Sequence, residues 1–371
     1  MSRPRPPLPR PGGVPSDPPR LTRRALITLV SGLTVGGAAL SAAAGEVQGG
    51  GGVRALADAR KLPGPAQPPI YSCGMWGARG PSDPVVEVDQ RPSKILIHHT
   101  ATANRDNVTP PDLGVLARAI QNFHMDTEGW IDSGHQFLVN RGGLIAEGRH
   151  RSLETLRRGK SFIEGSQCTD YNDVSIGIEN EGTYTEVDPP APQLVSLRAL
   201  CAYACLQYRV DPRELYGHRD FRDTACPGDR LYAILPALRA QVAQLLGRGR
   251  DWQASVQLTW PLLRIADRGS AVLAAQHLLR AAGVPGVPAD GAFGRTTADG
   301  VFEFQRRHGM ELTGMIGGGS WPLLAGQALP GPGGEVDAAL RALLAASKGL
   351  RVQVPATMSR QTWQRLLSTA G

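Results

Sequence analysis

Lys94-Ile95-Leu96-Ile97-His98 is a short apolar run that ends on polar residues, and His99 and Thr100 follow it. The run reads as a buried strand with functional groups at its end. Outward from it, Val174-Ser-Ile-Gly-Ile-Glu179 alternates like a strand. His135 to Asn140 and Leu144 to Ala146 flank Arg141-Gly142-Gly143 and predict a hairpin. Asp112 to Met125 places Leu113, Leu116, Ala117, Ile120 and His124 at helical spacing, with Asp112 as the expected N-cap. Gln193 to Tyr208 and Leu231 to Leu246 read as two long helices. Strands mixed with helices predict an α/β unit over about residues 71–247.

The flanks differ in composition. The 371 residues include 45 Gly and 30 Pro, unevenly spread. Arg23-Arg24 precede an uncharged run from Ala25 to Gly45 that closes on Ala42-Ala43-Ala44. A charged start, an apolar middle and a small-residue end predict an export signal over 1–44, of twin-arginine type, cleaved after Ala44. A retained anchor is the alternative, since the run has spanning length. Six Arg and one Asp give this leader a net charge of +5, so of the chain's +7 only +2 remains for the rest. The basic balance therefore gives no ground for nucleic-acid binding. Residues 45–70 and 248–258 read as linkers. Beyond them, Val272 to Ala282 and Thr296 to His308 are helical, and Val301 to Leu324 is echoed by Leu340 to Ser368. Two packed copies suit units too small to build a core alone.

Three separated segments carry the chemistry: His98-His99-Thr100, Gly217-His218-Arg219-Asp220, and Thr224-Ala225-Cys226-Pro227-Gly228. Two imidazoles and one thiolate, His98, His218 and Cys226, give Zn²⁺ three N/S donors and leave a fourth position for water, the catalytic rather than the structural pattern. His218 and Cys226 stand eight residues apart, within reach of one loop. Five cysteines are an odd number. With Cys226 assigned to metal, Cys73, Cys168, Cys201 and Cys205 allow two disulfides in any of three pairings.

From Trp76-Gly-Ala-Arg79 to Arg239 the chain resembles the zinc N-acetylmuramoyl-L-alanine amidases, the family that includes the peptidoglycan recognition proteins. The shared pieces are His98-His-Thr100, Ile120-Gln-Asn-Phe-His-Met125, Gly129-Trp-Ile-Asp132, Tyr171-Asn172, Ser175-Ile-Gly-Ile178, Gly217-His-Arg-Asp220 and Cys226-Pro-Gly228. The resemblance implies a central mixed β-sheet flanked by helices, zinc on His98, His218 and Cys226, and cleavage of the amide between N-acetylmuramic acid and L-alanine. Where recognition-protein amidases carry a catalytic tyrosine, this chain has His135. Where bacterial relatives carry a catalytic glutamate, it keeps Glu179. Glu179 is expected as general base with His135 beside it. The alternative casts Glu179 as orienting a ligand imidazole. Thr224 is expected either to hydrogen-bond the oxyanion or to cap its own loop. His99 and His124 are expected to line the site without ligating, and Asn172 and Arg149 to reach the stem peptide.

Leu263 to Val272, Asp290-Gly-Ala-Phe-Gly294 and Trp321-Pro-Leu-Leu324 resemble the peptidoglycan-binding three-helix domain, so 259–371 is expected as a small all-α unit with a degenerate second repeat. The expected partner is peptidoglycan. Neither nucleic acid nor, once the signal is removed, membrane is expected. The protein is expected to be a monomer that is secreted or held in the cell wall. Two other functions fit the same residues: a muropeptide binder that does not cut, and a stem peptidase. The latter lacks His-Glu-x-x-His.

Overall fold

The computed structural model describes residues 64–106, 109–248, 258–326, 334–346 and 358–369. The expected export signal and residues 45–63 and 249–257 of the expected linkers lie outside the described residues. The first described elements are strand β1 (Ile70–Tyr71), a short helix α1 (Cys73–Trp76) and strand β2 (Glu87–Val88). The apolar run then forms β3 (Lys94–His99).

Helix α2 (Pro110–Asn122) starts earlier than expected. Thr109, not Asp112, is its N-cap: Thr109 Oγ1 accepts from Asp112 N, and Asp112 Oδ2 accepts from Thr109 N at 3.2 Å. The reason is local. Pro110 and Pro111 fit a first turn, where backbone N–H groups have no helical partner, so the helix begins ahead of Asp112. Asp112 instead closes a capping box. A π-helical turn, Phe123–Thr127, carries His124 out of α2.

The hairpin forms as β4 (Phe137–Val139) and β5 (Ile145–Glu147), followed by α3 (Ser152–Arg158), β6 (Phe162–Ile163) and β7 (Ser175–Asn180). Helix α4 (Ala191–Tyr208), strand β8 (Leu215–Gly217) and helix α5 (Asp229–Leu245) complete the α/β part. Its six-stranded sheet has the order β1-β5-β4-β7-β3-β8, and β2 pairs with β6 apart from it. Only β4 and β5 run antiparallel within the large sheet, so it is mixed.

Alternation divides the sheet's two faces. Ile95, Ile97, Phe137, Val139, Ile176, Ile178 and Leu215 point to one side and pack with Leu197, Leu200, Leu231, Leu235 and Leu238 of α4 and α5. The opposite face is covered only in part: Leu138 and Ala146 pack with Trp76, Leu113 and Ala117 of α1 and α2. The same face of β3 and β7 presents His98 and Glu179 beyond that cover.

All five cysteines are free thiols, so none of the three disulfide pairings left open by the sequence is made. Cys201 and Cys205 are buried one turn apart on α4 within the main apolar core. There they act as small hydrophobes, and burial pushes the thiols up, Cys205 to about 12.

The C-terminal part is helical as expected: α6 (Ser270–Ala281), α7 (Arg295–Arg307), α8 (Ser320–Gly326), α9 (Glu335–Ala346) and α10 (Arg360–Thr369). The repeated tryptophans, Trp321 and Trp363, share one buried core with Trp260, Val301, Leu340 and Leu366. The two copies thus bury each other's apolar faces. No described helix is long and apolar enough to cross a membrane.

Ile97 of β3 is fully buried in the apolar core between the sheet and helices α4 and α5. Ile97→Ala should lower unfolding stability by about 2–5 kcal/mol, read as a lower urea midpoint at unchanged slope.

Candidate metal centre and its comparison with known proteins

The register of three parallel strands builds the site. Ile97 stands opposite Gly217 of β8, and His98 stands opposite Glu179 of β7. The chain leaving β8 therefore sets His218 beside His98, with ring centroids 4.5 Å apart. A 3₁₀ turn, His218–Asp220, bends the backbone back. Arg219 N donates to Cys226 O at 3.1 Å, which closes the loop and returns Cys226 to the sheet end. Cys226 Sγ lies 3.7 Å from His98 Nδ1 and accepts from His99 N at 3.4 Å.

Donor atoms of His98, His218 and Cys226 all lie within 4.8 Å of one another. Tetrahedral Zn–N and Zn–S bonds of ordinary length would separate a nitrogen and a sulfur by about 3.6 Å. The observed 3.7 Å fits that spacing. Protonation fits as well. Burial first, then the neighbouring His218 and His135, hold His98 well below the usual imidazole range. Burial likewise lowers His218 to about 3. Neutral imidazole is the ligating form. Burial raises the Cys226 thiol to about 12, so a cation would have to displace its proton.

Gln167 decides which nitrogen of His98 is free. Ser175 Oγ donates to Tyr171 O at 2.6 Å, so it accepts from Gln167 Nε2 at 3.0 Å. That leaves Gln167 Oε1 facing His98 Nε2 at 2.6 Å. His98 Nε2 must carry the proton, and the lone pair of Nδ1 turns toward Cys226. Gln167 is a site residue that sequence reasoning missed. It sits in an irregular loop 69 residues from its partner, with no periodicity or motif to mark it.

Beside these donors is a second buried group, His124, His135 and Glu179. His135 Nδ1 lies 3.1 Å from Glu179 Oε2, an ion-pair distance. Neither nitrogen of His135 meets hydrogen-bond geometry with a protein group. Burial would raise Glu179, but the neighbouring His135, and after it His124 and His99, outweigh burial and hold its carboxyl below the usual range. It is a carboxylate at neutral pH. His124 accepts from Gly134 N at Nδ1 (3.1 Å) and stacks on Trp130 at 4.7 Å, which leaves Nε2 as its donor. His99 Nδ1 accepts from Tyr184 N at 3.3 Å. Neither His99 nor His124 joins the His98–His218–Cys226 group.

Gly177 explains the Ser-Ile-Gly-Ile segment. A Cβ there would stand 2.9 Å from Gln167 Cδ and 3.0 Å from His135 Cδ2, so only hydrogen fits beneath the site. Thr224 Oγ1 accepts from Cys226 N at 3.2 Å, which makes it a cap of its own loop. Its hydroxyl proton stays free of that bond. Asn172 Oδ1 accepts from Gln167 N and Cys168 N, both at 2.9 Å, so it braces the Gln167 loop. Arg149 lines a groove of about 270 Å³ together with Trp130, Ile131, Glu164 and Ser166. It is buried and donates to Glu164 O at 2.7 Å and Ser166 Oγ at 3.0 Å.

Comparison with known proteins places two parts of the chain in known families. The N-acetylmuramoyl-L-alanine amidase family profile matches residues 88–229, and a peptidoglycan binding domain profile matches residues 268–321. Peptidoglycan recognition protein 1 of Bos indicus is 32% identical over 167 residues, which cover 45% of this chain and 82% of that protein. This chain belongs to the N-acetylmuramoyl-L-alanine amidase and peptidoglycan recognition family. Peptidoglycan-recognition protein LB of Drosophila melanogaster is 34% identical over 165 residues, 44% of this chain and 66% of that protein. The solved wild-type Drosophila PGRP-LB is 31% identical, covers 46% of this chain and 93% of its own, and superposes with a TM-score of 0.40. The amidase-family profile spans all three metal-type donors, and the matched C-terminal profile ends at Trp321.

Gln167→Leu should release the tautomer of His98. Imidazole ¹⁵N shifts are expected to show one Nε2-protonated form in the wild type and a mixture of tautomers in the variant.

Proposed function

We propose that this chain is a zinc-dependent amidase that hydrolyses the bond between N-acetylmuramic acid and L-alanine in peptidoglycan. The observation that carries the reading is the convergence of His98 Nδ1, His218 and Cys226 Sγ beside a buried carboxylate, Glu179, at the open end of the sheet. Zinc held by those three donors would polarise the lactyl carbonyl and acidify a water.

The protein's own groups then have distinct tasks. Glu179, ionised and adjacent to His98, takes the proton of the attacking water as its oxygen bonds the carbonyl carbon. The same carboxyl returns that proton to the alanine nitrogen as the C–N bond breaks. A muramic carboxylate and a free stem amine result. The Thr224 hydroxyl, held by Cys226 N, keeps its proton for the oxyanion. His135 stands between Glu179 and His98 and sets the charge of the base. The groove beside Arg149 and Trp130, whose ring stacks on His124, is the proposed seat of the stem peptide.

On this reading residues 71–247 are the amidase domain and 259–371 hold the enzyme on the wall. The segment around Arg23-Arg24 supports export of the folded protein to the wall.

Digested peptidoglycan analysed by mass spectrometry should show stems with free L-alanine amino ends. Cuts deeper in the stem would mean a peptidase, and no new ends would mean a binder. Chelator treatment and Cys226→Ser should each abolish release. Glu179→Gln should reduce turnover by about 10²–10⁴-fold with muropeptide binding kept. Near-normal turnover in Glu179→Gln, with none in His135→Ala, would reverse the roles of the two residues.

A further inference from the structure

The loop that carries His218 and Cys226 is held from outside the amidase part. Asp223 lies midway along it and is 5% exposed. Its carboxylate receives four hydrogen bonds from the C-terminal domain. Gly317 N donates to Oδ1 at 2.7 Å and Ser320 N to Oδ1 at 2.9 Å. Ser320 Oγ donates to Oδ2 at 2.6 Å and Gln305 Nε2 to Oδ2 at 3.3 Å. Gly318 N also donates to Arg219 O at 3.0 Å, on the residue next to His218. Arg264 pairs with Asp229, which Arg219 contacts at 2.8 Å from the other side.

The donors are themselves rigid. Gln305 is fully buried, and its Oε1 accepts from Thr313 N and Gly314 N. Ile316 bridges Leu263, and Trp321 is fully buried next to Ser320. The three consecutive glycines permit the approach. A Cβ on Gly318 would overlap the Asp220 carbonyl, one on Gly317 would stand 2.9 Å from Arg222 O, and one on Gly319 would stand 3.0 Å from Asp223 Oδ2.

A buried carboxylate stripped of these donors would be left unsatisfied, a penalty large enough to reshape a short loop. The loop's own bonds join Arg219 N to Cys226 O, Phe221 N and Arg222 N to His218 O, Gly217 N to Asp220 Oδ2, Arg219 Nη2 and Gly228 N to Ala225 O, and Cys226 N to Thr224 Oγ1, and none of these engages the Asp223 carboxylate. Two of the three metal donors depend on the loop's shape. We infer that Asp223 is a positioning residue, through which the Gly317–Ser320 turn of the C-terminal domain completes the metal site. The domain then does more than add wall affinity: its docking sets the separation of His218 and Cys226. This inference rests on the zinc reading proposed above.

The test uses the full-length chain. Zinc affinity is measured by competition with a chelating dye, and site geometry by the thiolate-to-cobalt absorption of the Co²⁺-substituted protein. Gly318→Ala and Asp223→Ala should each weaken zinc binding about 10–100-fold, as loss of an outer-sphere partner does, and shift the cobalt band. Asp223→Asn, which keeps an acceptor for Gly317 N and Ser320 N, should recover most of the loss. The double variant Gly318→Ala/Asp223→Ala should lose no more than either single one. That non-additivity separates docking from general destabilisation. Wild-type protein that binds zinc tightly, with variants that match it within twofold, overturns this inference alone. Wild-type protein that takes up no zinc overturns the metal reading and this inference with it.

Discussion

His98 lies between two parallel neighbours, and that register is the constraint on which the site depends. Its β3 position faces Glu179 across one ladder, and the adjacent ladder delivers His218 immediately after Gly217. A slip of one residue in either pairing would turn His98 or Glu179 into the apolar core under α4 and α5. The buried isoleucines at 95, 97, 176 and 178 forbid such a slip, because they would be forced onto the polar face. Core packing and site geometry are therefore set by the same alternation.

The site's polar groups are ordered by hydrogen bonds that run outward from it. Tyr171, Ser175 and Gln167 form a directed chain that ends on His98. Gly134 N fixes His124 in the same way. Each chain starts from a backbone group, which cannot reorient, so His98 and His124 acquire defined donors and acceptors from uncharged partners. Close approach is secured by hydrogen in place of side chain: Gly177 beneath Gln167 and His135, and Gly318 against the backbone of Asp220.

Among the described residues, the main apolar core of the amidase part and that of the C-terminal part are separate clusters, and polar contacts join the two parts. Asp223 reaches into the turn before α8, and Arg264 reaches back to Asp229. In this chain the stretch matched by the peptidoglycan binding domain profile thus touches the loop that carries His218 and Cys226.

Much of the fold was legible in the residues. Apolar runs and helical spacing located β3, β7, the β4–β5 hairpin and the long helices within a few residues, since burial imposes those periods on any sequence. The start of α2 was misread, because two prolines followed a threonine cap whose box closes only in three dimensions. The cysteines were undecided for a similar reason: pairing depends on distance, and packing left all five as thiols. Of the site, the residue types and spacing of His98, His218, Cys226 and Glu179 were visible in one dimension, because metal and proton chemistry restrict which side chains serve. Gln167 and Asp223 were not. An outer hydrogen bond can come from any polar residue at any sequence distance, so only the folded chain could choose them.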